Sequence, residues 1–247
     1  EHFSLIEDEM YAVYYNEPVT LLLQANAKMR YAHLEAVRQQ IRSIVANPLL
    51  YVDDILFVFK DLDLELGKNG TFSQKAFFEQ FYASRDYPLA FWKRQFANQI
   101  SSALFASSEF YEHPFHLFGT SIRKGEFFPY VFKNKQVDQF YIVAMLDAKK
   151  LYRAFHRSLD AHFMILDPQG RELFRSFPDS GTIALPPMER IASYELQDDK
   201  YYFYNVKSSL QPRTYVNMVE SKYISDNVAS LNQTLLGLLI AAIAVSI

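Results

Sequence analysis

The chain contains no cysteine and only seven glycines in 247 residues. The first absence excludes disulfides, thiolate zinc sites and cysteine nucleophiles together, and it is compatible with an extracytoplasmic bacterial domain. The second leaves little material for a glycine-rich phosphate loop, and no Gly-x-Ser-x-Gly elbow occurs. An excess of one charge is missing too: 25 Lys and Arg stand against 28 Asp and Glu, a net charge of -3 with no basic block. The electrostatic footprint of a nucleic-acid binder is therefore absent. Neither a Met nor a basic and apolar leader opens the chain at Glu1, so the sequence reads as a fragment or a processed form.

Apolar material is plentiful. Half of the residues are hydrophobic and 16% are aromatic, enough for one large core or two small ones. Residues 235–247 form an apolar run, and no charge follows Asp226. At about 1.5 Å per residue this run covers roughly 20 Å, about two-thirds of a hydrocarbon core. It predicts the start of a transmembrane helix; a buried core helix would keep a polar face. Upstream, Leu21, Leu22, Ala25, Met29, Ala32, Ala36, Ile41, Ile44 and Val45 recur at three- and four-residue intervals. They predict one long helix over residues 17–46, stopped by Asn47 and Pro48.

Strand patterning follows. Residues 51–59 are rich in β-branched and aromatic side chains, and Leu62, Leu64 and Leu66 alternate with Asp61, Asp63 and Glu65 up to Gly67; together they predict a hairpin. Ser73 is placed to cap a short helix reaching Tyr82, and Pro88 to begin another that holds Phe91, Trp92 and Phe96. Residues 102–111, 127–133 and 137–146 predict three more strands, and Asp147 caps a helix that ends near His156. A further five are predicted at 161–166, 172–176, 193–197, 201–207 and 214–220, the first two joined by a turn from Asp167 to Gly170. The fold class is α+β: a long N-terminal helix, then two antiparallel five-stranded sheets in tandem, each packing helices on a face.

This order resembles the double-Cache, PAS-like sensor domains of bacterial membrane receptors. The resemblance rests on Asn47 and Pro48, the first hairpin, Gly70 to Ser73 ahead of Phe77 and Phe78, Ala144 to Asp147 with Leu151, Phe163 to Gly170, and Arg213 to Val216 before the apolar tail. Within the family the chain is most similar to the extracellular part of membrane-anchored AraC-type transcription regulators. The resemblance implies a spine helix (1–46), a membrane-distal module (47–147), a connecting helix (148–160), a membrane-proximal module (161–222) and a helix entering the membrane (223–247). It implies a small-molecule ligand (a sugar, a carboxylate or an amino-acid-like compound), usually in the distal module. The segment would lie outside the cell membrane, compatible with a homodimer, and signal to transcription through a shift of the second membrane helix. The alternatives are the sensor of a histidine kinase or chemoreceptor, and, behind them, an anchored cell-envelope hydrolase. No enzymatic activity, cofactor, metal or bound nucleic acid is expected of this segment.

Four residues are candidates for the ligand site. Arg85, Tyr87 and Trp92 offer an aromatic wall with one fixed cation, suited to a sugar face or a carboxylate; the competing reading puts Trp92 in the core. Asp147 reads as a helix N-cap, whereas the resemblance implies the Asp that accepts the ligand ammonium in amino-acid-binding double-Cache domains. Those domains carry a closely spaced Tyr, Arg and Trp, for which Tyr82, Arg85 and Trp92 are the counterparts, although the interval from Arg85 to Trp92 is wider than in the pattern. Two other constellations are coincidental. Ser121 and Lys124, with Ser225 to Asn227, imitate penicillin-binding signatures, but Gly125 and Pro129 exclude the helix that chemistry needs. His113 and His116 flank Pro114 with no further ligand cluster nearby.

Overall fold

The computed structural model of the chain describes residues 2–25, 27–98, 101–114, 120–134, 139–156, 161–176, 192–196, 199–207, 213–226, 228–229 and 233–234. Two units divide it, Glu1–Leu151 and Tyr152–Ile247. The first opens with α1 (His2–Tyr14), α2 (Glu17–Gln24) and α3 (Ala27–Val45), followed by β1 (Val52–Phe59), β2 (Leu64–Gly67) and β3 (Gly70–Ser73). Next come α4 (Gln74–Ala76), running into a π-helical turn (Phe77–Phe81), and α5 (Leu89–Arg94). The strands β4 (Ser102–Leu104), β5 (Ser108–Glu112), β6 (Ile122–Phe132) and β7 (Phe140–Asp147) complete one antiparallel sheet, ordered β3-β2-β1-β7-β6-β4, with β5 also paired to β6.

The central strands are apolar almost throughout because both faces of this sheet are covered. Alternation then sorts their side chains. Tyr130, Phe132 and Phe140 meet Phe3, Tyr11 and Tyr14 of α1, which buries Phe3, Ile6, Met10 and Val13 as one stripe, and Phe57 and Phe59 pack on Phe140 beside them. Tyr14 stacks on Phe140 with ring centroids 4.4 Å apart and donates its hydroxyl to the Phe140 carbonyl at 3.1 Å. On the opposite face Leu56, Val58, Tyr141, Val143 and Met145 pack with Phe77, Phe78, Tyr82 and Trp92 from the helical segments. Each such side chain, fully buried, contributes about 1.5–3 kcal/mol.

Two expectations need correction. The helix over 17–46 is two helices, because Ala25 turns extended (φ -70, ψ 137) and α2 folds back to pack on α3. The stripe read as one face mixes two: Leu21 and Met29 are exposed, while the buried positions are Val19 and Leu22 in α2 and Val37 and Ile41 in α3. The first sheet has seven strands, not five. β3 pairs across a tight turn between Gly67 and Gly70, and residues 102–111 form two strands because β4 and β5 both hydrogen-bond to different stretches of the long β6.

The second sheet has the expected five strands, β8 (Ala161–Leu166), β9 (Glu172–Arg175), β10 (Ala192–Leu196), β11 (Asp199–Lys207) and β12 (Thr214–Glu220), ordered β10-β11-β12-β8-β9. Met164, Leu166, Tyr201, Val216 and Met218 form its core. In the β8–β9 turn Asp167 Oδ1 accepts from the Gln169 and Arg171 amides at 2.9 and 2.8 Å, and Gly170 takes the left-handed conformation at φ +77. Before this sheet, α6 (Ala148–His156) is capped by Asp147 Oδ1, which accepts from the Lys150 amide at 2.9 Å. The apolar run 235–247 lies outside the described residues. Among the described residues no helix is long and apolar enough to cross a membrane.

Candidate functional site

On the face of the first sheet covered by α4, the π-helical turn and α5, two carboxylates stand among apolar neighbours. Asp54 on β1 is 2% exposed and Glu65 on β2 is 0% exposed. Asp54 Oδ1 accepts from the backbone amides of Ile55 at 2.8 Å and Lys68 at 3.0 Å. Glu65 has no hydrogen-bond partner at either oxygen. Gly67 explains how both fit: a Cβ there would lie 3.3 Å from Asp54 Oδ2 and 3.3 Å from Glu65 Oε1. A side chain at this position would crowd both oxygens, so the two carboxylates pack close against the bare Gly67 backbone.

Beside Asp54 and Gly67, with Glu65 behind Gly67 and not part of the lining, lies a cavity of about 120 Å³ that also has Phe72, Phe77, Tyr82, Glu112 and Lys124 in its walls. The helical segment is aimed at it by a cap and a π turn: Ser73 Oγ accepts from the Ala76 amide at 3.2 Å, and the Tyr82 amide donates to the Phe77 carbonyl at 2.8 Å. Widened turns of this kind recur at functional sites. The Tyr82 hydroxyl donates to Asp53 Oδ2 at 2.7 Å, Asp53 pairs with Lys68 at 3.4 Å, and Lys124 Nζ stands 3.9 Å from the Tyr82 ring centroid.

Burial sets the electrostatics. It pushes the Asp54 carboxyl up to about 6, against the opposing pull of the Lys68 and Ile55 amides. Burial, and after it the Asp54 charge, drives Glu65 well above the usual carboxylate range, with Lys124 opposing. Burial also lowers the Lys124 ammonium, while Asp53, Glu112 and Asp54 hold it up.

The residues singled out from the sequence occupy separate settings. Arg85 is exposed and lines an open groove of about 680 Å³ with Asp86, Glu109, Tyr111 and His113. Tyr87 and Trp92 are buried in the core: the Tyr87 hydroxyl donates to the Ala106 carbonyl at 2.6 Å, and Trp92 Nε1 donates to the Tyr87 carbonyl at 2.9 Å. Their polar atoms are spent on backbone, so they give Arg85 no free aromatic wall. Asp147 serves the helix that follows it, and Lys150 Nζ lies 3.6 Å away. Ser121 and Lys124 flank the start of a strand, not a helix; His113 is exposed, and His116 is outside the described residues. Asp54 and Glu65 escaped notice because the alternation of Leu64 and Leu66 with Asp63 and Glu65 suggests leucines inward and acids outward. The available signals were Asp53 and Asp54 inside an otherwise apolar strand, and a glycine directly after the second one.

No protein-family model and no curated protein matches the chain. Solved structures do. The extracellular domain of a protein classed as a histidine kinase, soHK1S-Z6, aligns with a TM-score of 0.57 at 14% identity over 92% of this chain and 91% of that one. A second such domain, from vpHK1S-Z8, gives 0.53 at 13% identity over 91% and 87%. The fold is that of extracellular sensor domains. A domain of a sensory box/GGDEF family protein from Vibrio parahaemolyticus shares it, at a TM-score of 0.53 and 12% identity over 90% of each chain.

Proposed function

We propose that this chain is the extracytoplasmic ligand-sensing part of a membrane signalling receptor, with its small-molecule site on the inner face of the first sheet. The cavity bounded by Asp54, Gly67, Tyr82 and Lys124 carries the reading, because it gathers buried charge and aromatic surface in a fold shared with extracellular sensor domains. Such a site, apolar with a few convergent polar groups, is the ordinary form of a small-ligand pocket. Signalling then works by population shift: the ligand favours one arrangement of the segments around the cavity. The apolar residues 235–247 would enter the membrane and pass that difference on. The two histidine-kinase neighbours support the alternative, a sensor of the histidine-kinase or chemoreceptor kind, more than the AraC-type effector drawn from the sequence resemblance. The reading assigns the chain no catalysis.

The test is thermal unfolding of the full chain against a panel of amines, amino acids, carboxylates and sugars. A ligand at a hundred times its Kd adds about 2.7 kcal/mol, which raises the melting temperature by about 5–10 °C in a unit of this size. No rise with any class would sink the sensing role.

A further inference from the structure

The cavity wall carries an amine that the fold does not spend. Lys124 lies on β6 at a break in the pairing: Phe110 of β5 stands opposite Gly125 and Tyr111 opposite Arg123, so the register passes over Lys124. A bulge of this kind re-aims a side chain. The bare Gly125 beside it lets the strand bend against Phe127, whose ring would lie 2.8 Å from a Cβ at that position. Lys124 Nζ is thereby brought into the wall of the cavity, 3.9 Å from the Tyr82 ring centroid, and among the described residues it makes neither a hydrogen bond nor an ion pair. Asp53, a carboxylate close enough to influence it, is taken by the Tyr82 hydroxyl at 2.7 Å and by Lys68 at 3.4 Å. Resting on the ligand-sensing reading above, we propose that the cavity captures a small neutral aldehyde, covalently and reversibly, as an imine of Lys124.

The nucleophile in such a capture is the neutral amine, and a half-buried lysine yields it more readily than an exposed one. Burial lowers the Lys124 ammonium accordingly. Nζ attacks the carbonyl carbon and forms the C–N bond; the carbonyl oxygen becomes a hydroxyl and departs as water. Lysine ammonium and aldehyde thus give iminium and water: one proton leaves the amine before attack and returns to the departing hydroxyl, the charge is unchanged, and no oxidant or reductant enters. Asp54 shares the wall and is raised to about 6 by burial, so its carboxylate can hold that proton between the two steps. The iminium keeps its positive charge beside the Tyr82 ring, Asp54 and Glu112, which favour it as they favour the ammonium. An anionic carbonyl compound would instead meet the like charge of the two carboxylates. Phe72, Phe77 and Phe81 offer apolar contact to the carbon chain, and about 120 Å³ holds about four water-sized groups, so the aldehyde that fits has about three carbons.

The experiment treats the full chain at pH 7.5 with propanal and sodium cyanoborohydride, which fixes an imine as a secondary amine, and maps the N-propyl groups by peptide mass spectrometry. Lys124 should be labelled roughly tenfold or more faster than the exposed Lys75, Lys93 and Lys149, a modest share of what a positioned proton carrier supplies. That preference should vanish in the chain unfolded by guanidinium chloride. Cyclohexanecarbaldehyde, too large for the cavity, and glyoxylate, an anionic aldehyde, should reach the exposed lysines without favouring Lys124. Labelling of Lys124 no faster than the exposed lysines, a preference that survives unfolding, or the same preference with either of the two control aldehydes would each overturn the assignment. If Lys124 shows no preference while a compound of the thermal panel raises the melting temperature, the aldehyde falls and the sensing role stands; if neither occurs, both fall.

Discussion

Asp54→Asn raises the melting temperature of the chain at pH 8 and leaves it unchanged at pH 4, and Glu65→Gln acts in the same direction. The ordinary value for an Asp carboxyl is 3.8, and burial lifts Asp54 to about 6. A raised carboxyl favours folding while it is protonated: that advantage is complete below the ordinary value and is lost as pH climbs through about 6. Above that point the folded chain holds an ionised group in a dry setting, at a cost of about 3 kcal/mol. Asn keeps the oxygen that accepts from the Ile55 and Lys68 amides at 2.8 and 3.0 Å while removing the charge. The gain at pH 8 is therefore up to about 3 kcal/mol, or about 6–12 °C. Glu65 is raised further above its ordinary range, by burial first and by Asp54 second, so its substitution relieves the same burden. Thermal unfolding of the three proteins from pH 4 to pH 8 decides the matter: curves that stay parallel, or variants that melt lower at pH 8, would show that these carboxylates stabilise the fold.

Trp92→Ala should lower the unfolding free energy by about 3–5 kcal/mol, while Arg85→Ala changes it by no more than about 0.5 kcal/mol. Trp92 is 1% exposed, stacks on Phe78 with centroids 4.6 Å apart and meets Phe91 edge-on at 5.1 Å. Its indole donates to the Tyr87 carbonyl at 2.9 Å, and its own carbonyl accepts from the Tyr141 hydroxyl at 2.9 Å. Truncation leaves a cavity and an unpaired backbone carbonyl together. Urea unfolding measures both variants. A small loss for Trp92→Ala would mean that the indole is a replaceable pocket wall, and the sequence-derived pairing with Arg85 would regain its footing.

How far these features were legible before the structure depends on what surrounds each segment. The strands of the second sheet were readable because each is bounded by turn residues, as Asp167 and Gly170 bound β8 and β9. The caps at Ser73 and Asp147 were readable because capping is local chemistry. The break at Ala25 was missed because its one local signal, Asn26, a cap-type residue directly before α3, stands inside a pattern whose apolar spacing continues through it. Glu65 was misplaced for a related reason. Alternation announces a two-faced strand but not that both faces are covered, and here Leu66 and Glu65 are both buried. Trp92 and Tyr87 could not be sorted between wall and core from spacing, because only the partners of their polar atoms separate the two.

Hydrogen exchange of the full chain, with and without the compound that raises its melting temperature most, tests the location of the site directly. The account predicts added protection in the peptides that cover residues 52–82 and 122–127, including the Ile55 and Lys68 amides that bond to Asp54, with no change in residues 161–220. Protection confined to 161–220, or to the groove residues around Arg85 and Glu109, would contradict it.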